Sequence, residues 1–279
     1  MSWLRAGLAF VALVFVTWVP AAERVSFPSL DGAGNAPVVL TGYFYPAAAS
    51  PAPAIAMFHG CDGAYDKSGA LSRRMREYAE LFNGLGLHVL VVDSLTARYE
   101  KEICTQRIGK RRVTQANRRL DALGAIAYLA ERADVDAKRI GLIGWSNGAS
   151  TVLAAINEHH RDVATASTKP AFAIAFYPGC EADLKRGYLP SAPLLMLVGE
   201  LDDWTPSAPC AALARDSAEP RPEIETYRGA WHGFDSSAVV RVRKDVPNGL
   251  HPGQGVHVGG DAAAWRQSRD RLVRFLAAH

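Results

Sequence analysis

Three residue types that together cleave acyl bonds occur in one order along this chain. Ser146 lies in Gly144-Trp145-Ser146-Asn147-Gly148, a GxSxG pattern in which small residues permit a strained strand-to-helix turn that lifts a hydroxyl clear of the backbone. A serine hydroxyl is a weak nucleophile at neutral pH and needs a positioned base, itself oriented by a carboxylate. Downstream, "GELDDWTP" (199–206) offers Asp202 and Asp203, and "YRGAWHGFD" (227–235) offers His232 in a turn. The competing readings are structural: a serine that merely starts a helix, and a buried core histidine.

A strand must lead into Ser146 and a helix must lead out. "RIGLIGW" (139–145) and "NGASTVLAAINEH" (147–159) have those patterns, with the helix expected to start at Asn147 or Gly148. The near-continuous apolar runs 54–60, 87–94, 139–145, 171–179 and 193–200 suit strands buried on both faces of a parallel sheet. Segments 24–27 and 38–45 suit an antiparallel edge, and "EIETYRG" leads as a further strand into the His232 turn. Helical spacing marks 71–83, 119–130 and 262–277. The class is α/β, a mostly parallel central sheet with helices on both faces, and the economical organisation is one domain over 23–279.

The joint pattern resembles the dienelactone hydrolase family of α/β hydrolases. The carrying residues are "HGCDG" (59–63), the "GWSNG" elbow, Gly199/Asp202/Pro206 in "GELDDWTP" and "GAWH" (229–232), spread over a chain that matches from about Arg24 onward. The resemblance implies an α/β-hydrolase fold, a Ser146-Asp202-His232 triad with Asp202 rather than Asp203 as the acid, and no metal or organic cofactor. It also implies an oxyanion hole of two backbone N–H groups, from Asn147 and Cys61, with His59 shaping the Cys61 loop. Serine stands where the namesake enzyme has cysteine, and Gly60 where it has an acid, which favours an ordinary serine esterase acting on carboxylic esters or lactones.

Trp145, Trp204 and Trp231 adjoin the three triad segments and are candidate pocket walls, with core packing as the other reading. The four cysteines form no CxxC pair, so a zinc site is disfavoured. The pairs expected are Cys61 with Cys104 and Cys180 with Cys210; the second pair joins a strand end to the helix after the Asp202 loop. His251 and His257 lie six positions apart with no carboxylate between them, a poor metal pattern.

Of 279 residues 49% are hydrophobic and 21% charged, enough for a sizeable core, and the formal net charge of +3 implies no nucleic-acid partner. The basic stretch 107–119 lacks interleaved aromatics and reads as a solvated face. Arg5 followed by "AGLAFVALVFVTWV" (6–19) and "PAA" reads as a secretory signal peptide over 1–22, cleaved near Ala21 or Ala22; the run is shorter than the roughly 17 to 25 residues of a spanning helix. The expectation is therefore an exported, periplasmic or secreted, serine hydrolase with no stable membrane span and a small-molecule or polymeric ester as partner. Nothing in the motifs specifies an oligomer. A polyester- or acetylated-polysaccharide-cleaving esterase and a noncatalytic binding protein on a hydrolase fold are the alternatives.

Overall fold

The structure is a computed structural model that describes residues 22–32 and 36–279. Of the signal peptide expected over 1–22, with cleavage near Ala21 or Ala22, residues 1–21 lie outside the described residues. Among the described residues no helix is long and apolar enough to cross a membrane.

In chain order the strands are β1 (Glu23–Pro28), β2 (Val39–Tyr45), β3 (Ala52–Phe58), β4 (His88–Asp93), β5 (Val135–Trp145), β6 (Phe172–Phe176), β7 (Leu194–Gly199), β8 (Glu223–Tyr227), β9 (Arg241–Arg243) and β10 (Val256–Val258). The helices are α1 (Arg73–Gly84), α2 (Gln115–Ala130), α3 (Asn147–Ile156), α4 (Arg161–Ala164), α5 (Glu181–Arg186), α6 (Ser207–Asp216) and α7 (Ala262–Ala278). Strands β1 to β8 form one sheet in the order β1-β2-β4-β3-β5-β6-β7-β8; β9 and β10 form a separate antiparallel pair. The pairs β1/β2 and β2/β4 are antiparallel and all later neighbours are parallel, so the expected edge and mostly parallel sheet are both present.

Alternation along each central strand sends side chains to two cores. Ala54, Ala56 and Phe58 pack with Ala122, Leu129, Val152 and Leu213, the inner faces of α2, α3 and α6. Ile55 and Met57 point the other way, to Met75, Phe82, Leu272 and Phe275 of α1 and α7. Every residue of β4, β6 and β7 is buried, which is why those runs are apolar throughout. The arrangement is an α/β-hydrolase fold.

Helix starts follow local chemistry. Thr114 and Asn117 cap α2 reciprocally, side chain to backbone in both directions, and Asp261 accepts from the N–H groups of Ala263 and Ala264 at the start of α7. In register, Phe58 of β3 lies opposite Gly144 of β5, and Trp145 opposite Phe176 of β6. The loops after these strand tips, at 59–63 and 146, therefore emerge side by side at the carboxyl edge of the sheet.

Candidate active site

Ser146 occupies the turn between β5 and α3 with φ 53° and ψ −118°, a positive φ that a serine adopts only where packing imposes it. The flanking glycines explain how. A Cβ on Gly144 would stand 2.2 Å from the Gly148 carbonyl oxygen, and one on Gly148 would stand 2.1 Å from the Phe58 oxygen. Any side chain at either position drives the elbow off the sheet, so GxSxG is here a packing requirement.

Ser146 Oγ lies 2.9 Å from His232 Nε2, and His232 Nδ1 lies 2.8 Å from Asp202 Oδ2. With Nδ1–H donating to the carboxylate, Nε2 is free to accept the serine proton. Asp202 Oδ1 accepts from the N–H groups of Trp204 and Thr205 at 2.9 and 2.8 Å, and Thr205 Oγ1 sits 3.0 Å from Oδ2, so the acid is fixed on both oxygens. Asp202 and His232 are both buried, at 4% exposure each. Asp203 turns away and holds His257 instead, Oδ2 to Nδ1 at 2.7 Å.

Three carbonyls shape the 59–63 loop beside the elbow, where a Cβ on Gly60 would stand 3.7 Å from Ser146 Cβ. His59 O accepts from Arg118 at 2.8 Å, Gly60 O lies 2.7 Å from His59 Nδ1, and Cys61 O accepts from Ile103 N–H at 2.7 Å. Ser94 N–H donates to His59 Nε2 at 3.3 Å, so the ring proton belongs on Nδ1 and the imidazole is neutral. Burial, aided by the Arg118 charge, pulls the His59 pKa down to about 4, in keeping with that tautomer. In a trans peptide the C=O and N–H point oppositely, so tying the Gly60 oxygen back aims Cys61 N–H outward from the loop. The N–H of Asn147 opens α3 and has no partner within that helix.

Both expected disulfides are formed, Cys61–Cys104 and Cys180–Cys210. The first ties the 59–63 loop to residues 95–113 through a small cluster of Leu95, Ile103 and Val113. The second ties the end of β6 to α6, which follows the Asp202 loop.

A cavity of about 280 Å³ opens over Ser146 and His232, bordered by Cys61, Trp204, Arg241, Arg243 and Val258. The tryptophan expectations divide. Trp204 lines this cavity, 4.7 Å from the His232 ring. Trp145 borders it, but its indole is fully buried, stacks on Phe176 and donates Nε1–H to Asp235 at 2.9 Å. Trp231 does not line it: the ring stacks on His257 at 4.2 Å, because the turn that aims His232 inward turns its neighbour toward the β9–β10 hairpin.

Two contributors had no sequence expectation, and a third reverses one. Asp235, with its side chain fully buried, collects Trp145 Nε1–H, Tyr177 O–H at 2.7 Å and Arg74 at 3.2 Å. Burial penalises the Arg74 charge, yet Asp235 outweighs it and raises the Arg74 pKa. The β9–β10 hairpin roofs the cavity and docks through a bridge from His232 to Val258. Arg118, inside the stretch expected to be a solvated face, is 0% exposed, which corrects that expectation at this residue. It lies four, seven and eleven positions before Ala122, Ala125 and Leu129 on the buried stripe of α2, and that spacing is the signal that marks it.

The sequence model of the dienelactone hydrolase family matches residues 40–278. The chain belongs to the dienelactone hydrolase family. Solved structures of similar fold include a dienelactone hydrolase-like promiscuous phosphotriesterase from metagenomic libraries, 19% identical over 93% of this chain and 99% of that one, with a TM-score of 0.64. A putative dienelactone hydrolase from Klebsiella pneumoniae is 14% identical over 93% and 100%, with the same TM-score of 0.64. A propionate-bound thermophilic esterase from the planctomycete Thermogutta terrifontis is 21% identical over 93% and 94%, at a TM-score of 0.57. No curated protein matches.

Proposed function

We propose that this member of the dienelactone hydrolase family is an exported serine hydrolase that cleaves small carboxylic esters or lactones through an acyl-enzyme on Ser146. One observation carries the reading: a serine strained onto the tip of an elbow, 2.9 Å from a histidine whose other nitrogen is held 2.8 Å from a buried carboxylate. His232 Nε2 takes the hydroxyl proton as Ser146 Oγ attacks the ester carbonyl carbon. Negative charge moves to the carbonyl oxygen, where the N–H groups of Cys61 and Asn147 and the start of α3 receive it. The intermediate collapses, the alcohol leaves with the proton from His232, and Ser146 remains acylated. Water, deprotonated by the same imidazole, then attacks the acyl carbon; the bond to Ser146 Oγ breaks, His232 returns the proton to Oγ, and the acid is released. Asp202 holds the ring and balances the imidazolium.

A cavity of about 280 Å³ sits at the small end of ligand pockets and suits a short acyl or alcohol group better than a polymer segment. The propionate reported for the similarly folded esterase is in keeping with a short acyl group. Export is supported by the apolar leader and by two disulfides, which persist in oxidising compartments. The test is turnover of p-nitrophenyl esters from acetate to dodecanoate by wild type and Ser146→Ala. The reading expects a preference for short chains and a loss of at least about 1,000-fold in the variant; undiminished turnover by Ser146→Ala overturns it.

A further inference from the structure

The fully buried guanidinium of Arg118 touches both halves of the carbonyl-binding region. Its Nη1 donates to Asn147 Oδ1 at 2.6 Å, on the elbow, and its Nη2 donates to His59 O at 2.8 Å, on the loop that carries Cys61. Gln115, one turn back on α2, reinforces the grip by donating to the Asn147 carbonyl at 3.0 Å. From His59 the restraint continues: the ring Nδ1 holds Gly60 O, and that peptide carries Cys61 N–H.

No carboxylate is in hydrogen-bond contact with the charge; Asp121, Asp93 and Asp62 favour it from a distance, and burial outweighs them. Both contacted oxygens are neutral, and Nε has no partner. Asp121, three residues further along α2, is engaged by Arg98 at 2.8 Å and by Ser29 at 2.6 Å. Burial lowers the Arg118 pKa to about 10, so the side chain stays protonated at neutral pH. A buried cation without a contacting anion costs folding free energy, and such a group calls for a use. Ester in its ground state gives it nothing. The tetrahedral intermediate places a negative oxygen beside the two residues that Arg118 and His59 hold, so the cation interacts more favourably with that state than with the substrate.

We propose that Arg118 is a positioning residue for the oxyanion hole, aligning the Cys61 and Asn147 N–H groups and biasing the site toward negative charge on the substrate oxygen. The inference rests on the serine-hydrolase reading above. It separates Arg118 from a mere core-filling arginine by what its loss does: transition-state stabilisation falls while ground-state binding stays.

The experiment compares wild type, Arg118→Gln, Arg118→Lys and Asn147→Ala on a short p-nitrophenyl ester, with melting curves for each. Inhibition by a boronic acid, which forms an anionic tetrahedral adduct, is measured beside inhibition by the neutral alcohol product. Arg118→Gln is expected to lower kcat about 10- to 100-fold with KM within about twofold. Its boronate inhibition constant rises by a similar factor and the alcohol constant stays put. Arg118→Lys recovers part of the kcat loss, and Asn147→Ala, which keeps the N–H but removes the guanidinium's acceptor, lowers kcat about threefold or more. A folded Arg118→Gln with unchanged kcat, or one that weakens alcohol and boronate equally, overturns the proposal. Should Arg118→Gln fail to fold, Asn147→Ala decides: unchanged kcat and boronate affinity overturn it. Wild type that neither turns over esters nor is labelled at Ser146 defeats the serine-hydrolase reading itself, and this inference with it, an outcome distinct from an active wild type with indifferent variants.

Discussion

Asp203 grips His257 twice, Oδ2 to the ring Nδ1 at 2.7 Å and Oδ1 to the backbone N–H at 2.8 Å. Two neighbouring aspartates thus hold two histidines: Asp202 holds His232, the proposed base, and Asp203 anchors the hairpin that roofs the cavity. Cutting the anchor by Asp203→Ala is expected to raise KM for short esters about three- to tenfold with a smaller change in kcat, since the roof contributes wall and not chemistry. Steady-state kinetics check this, and a kcat loss larger than the KM rise would assign Asp203 to the triad.

His59 makes stability depend on pH in a defined window. Burial and the Arg118 charge hold its pKa at about 4, below the ordinary 6.5. Above about pH 6.5 neither folded nor unfolded chain takes a proton there. Between 6.5 and 4 only the unfolded chain does, so stability falls as pH falls, by at most about 1.4 kcal/mol per pH unit from this ring. Urea midpoints between pH 7.5 and 4.5 should decline, and His59→Asn should flatten the decline while lowering stability throughout. A slope unchanged in the variant would refute the assignment.

The two disulfides should differ in what they support. Loop closure over sequence separations of 43 and 30 is worth roughly 3 to 4 kcal/mol each in the chain-entropy picture. The paired replacement Cys61→Ala with Cys104→Ala also frees the loop that carries the Cys61 N–H, whereas Cys180→Ala with Cys210→Ala frees the strand end behind the acid loop. Melting temperatures should fall comparably, and kcat should fall about tenfold or more in the first pair and less in the second. Equal kcat losses at equal stability would contradict a special role for the first bridge.

What could be read in the sequence was what is local. GxSxG, the apolar strand before it and the helix after it are neighbours in the chain, and Asp202 and His232 sit in short turns directly behind β7 and β8. The same locality explains the gaps. Asp235 is part of the quoted "WHGFD", but its meaning comes from Trp145, 90 residues away, and from Arg74, 161 away. Strands β9 and β10 are three residues each, too short to show alternation. Arg118 was hidden by its neighbours: counted among six basic residues over 107–119 it looks solvated, and only its place on the apolar stripe of α2 betrays it.

The covalent step is the most direct point of attack. Incubation with a p-nitrophenyl phosphonate, followed by intact-mass and peptide analysis, should show one phosphonyl group per chain, located on Ser146, with one equivalent of p-nitrophenol released and none in Ser146→Ala. A label on another residue, or no label on protein that still turns over esters, would contradict the account.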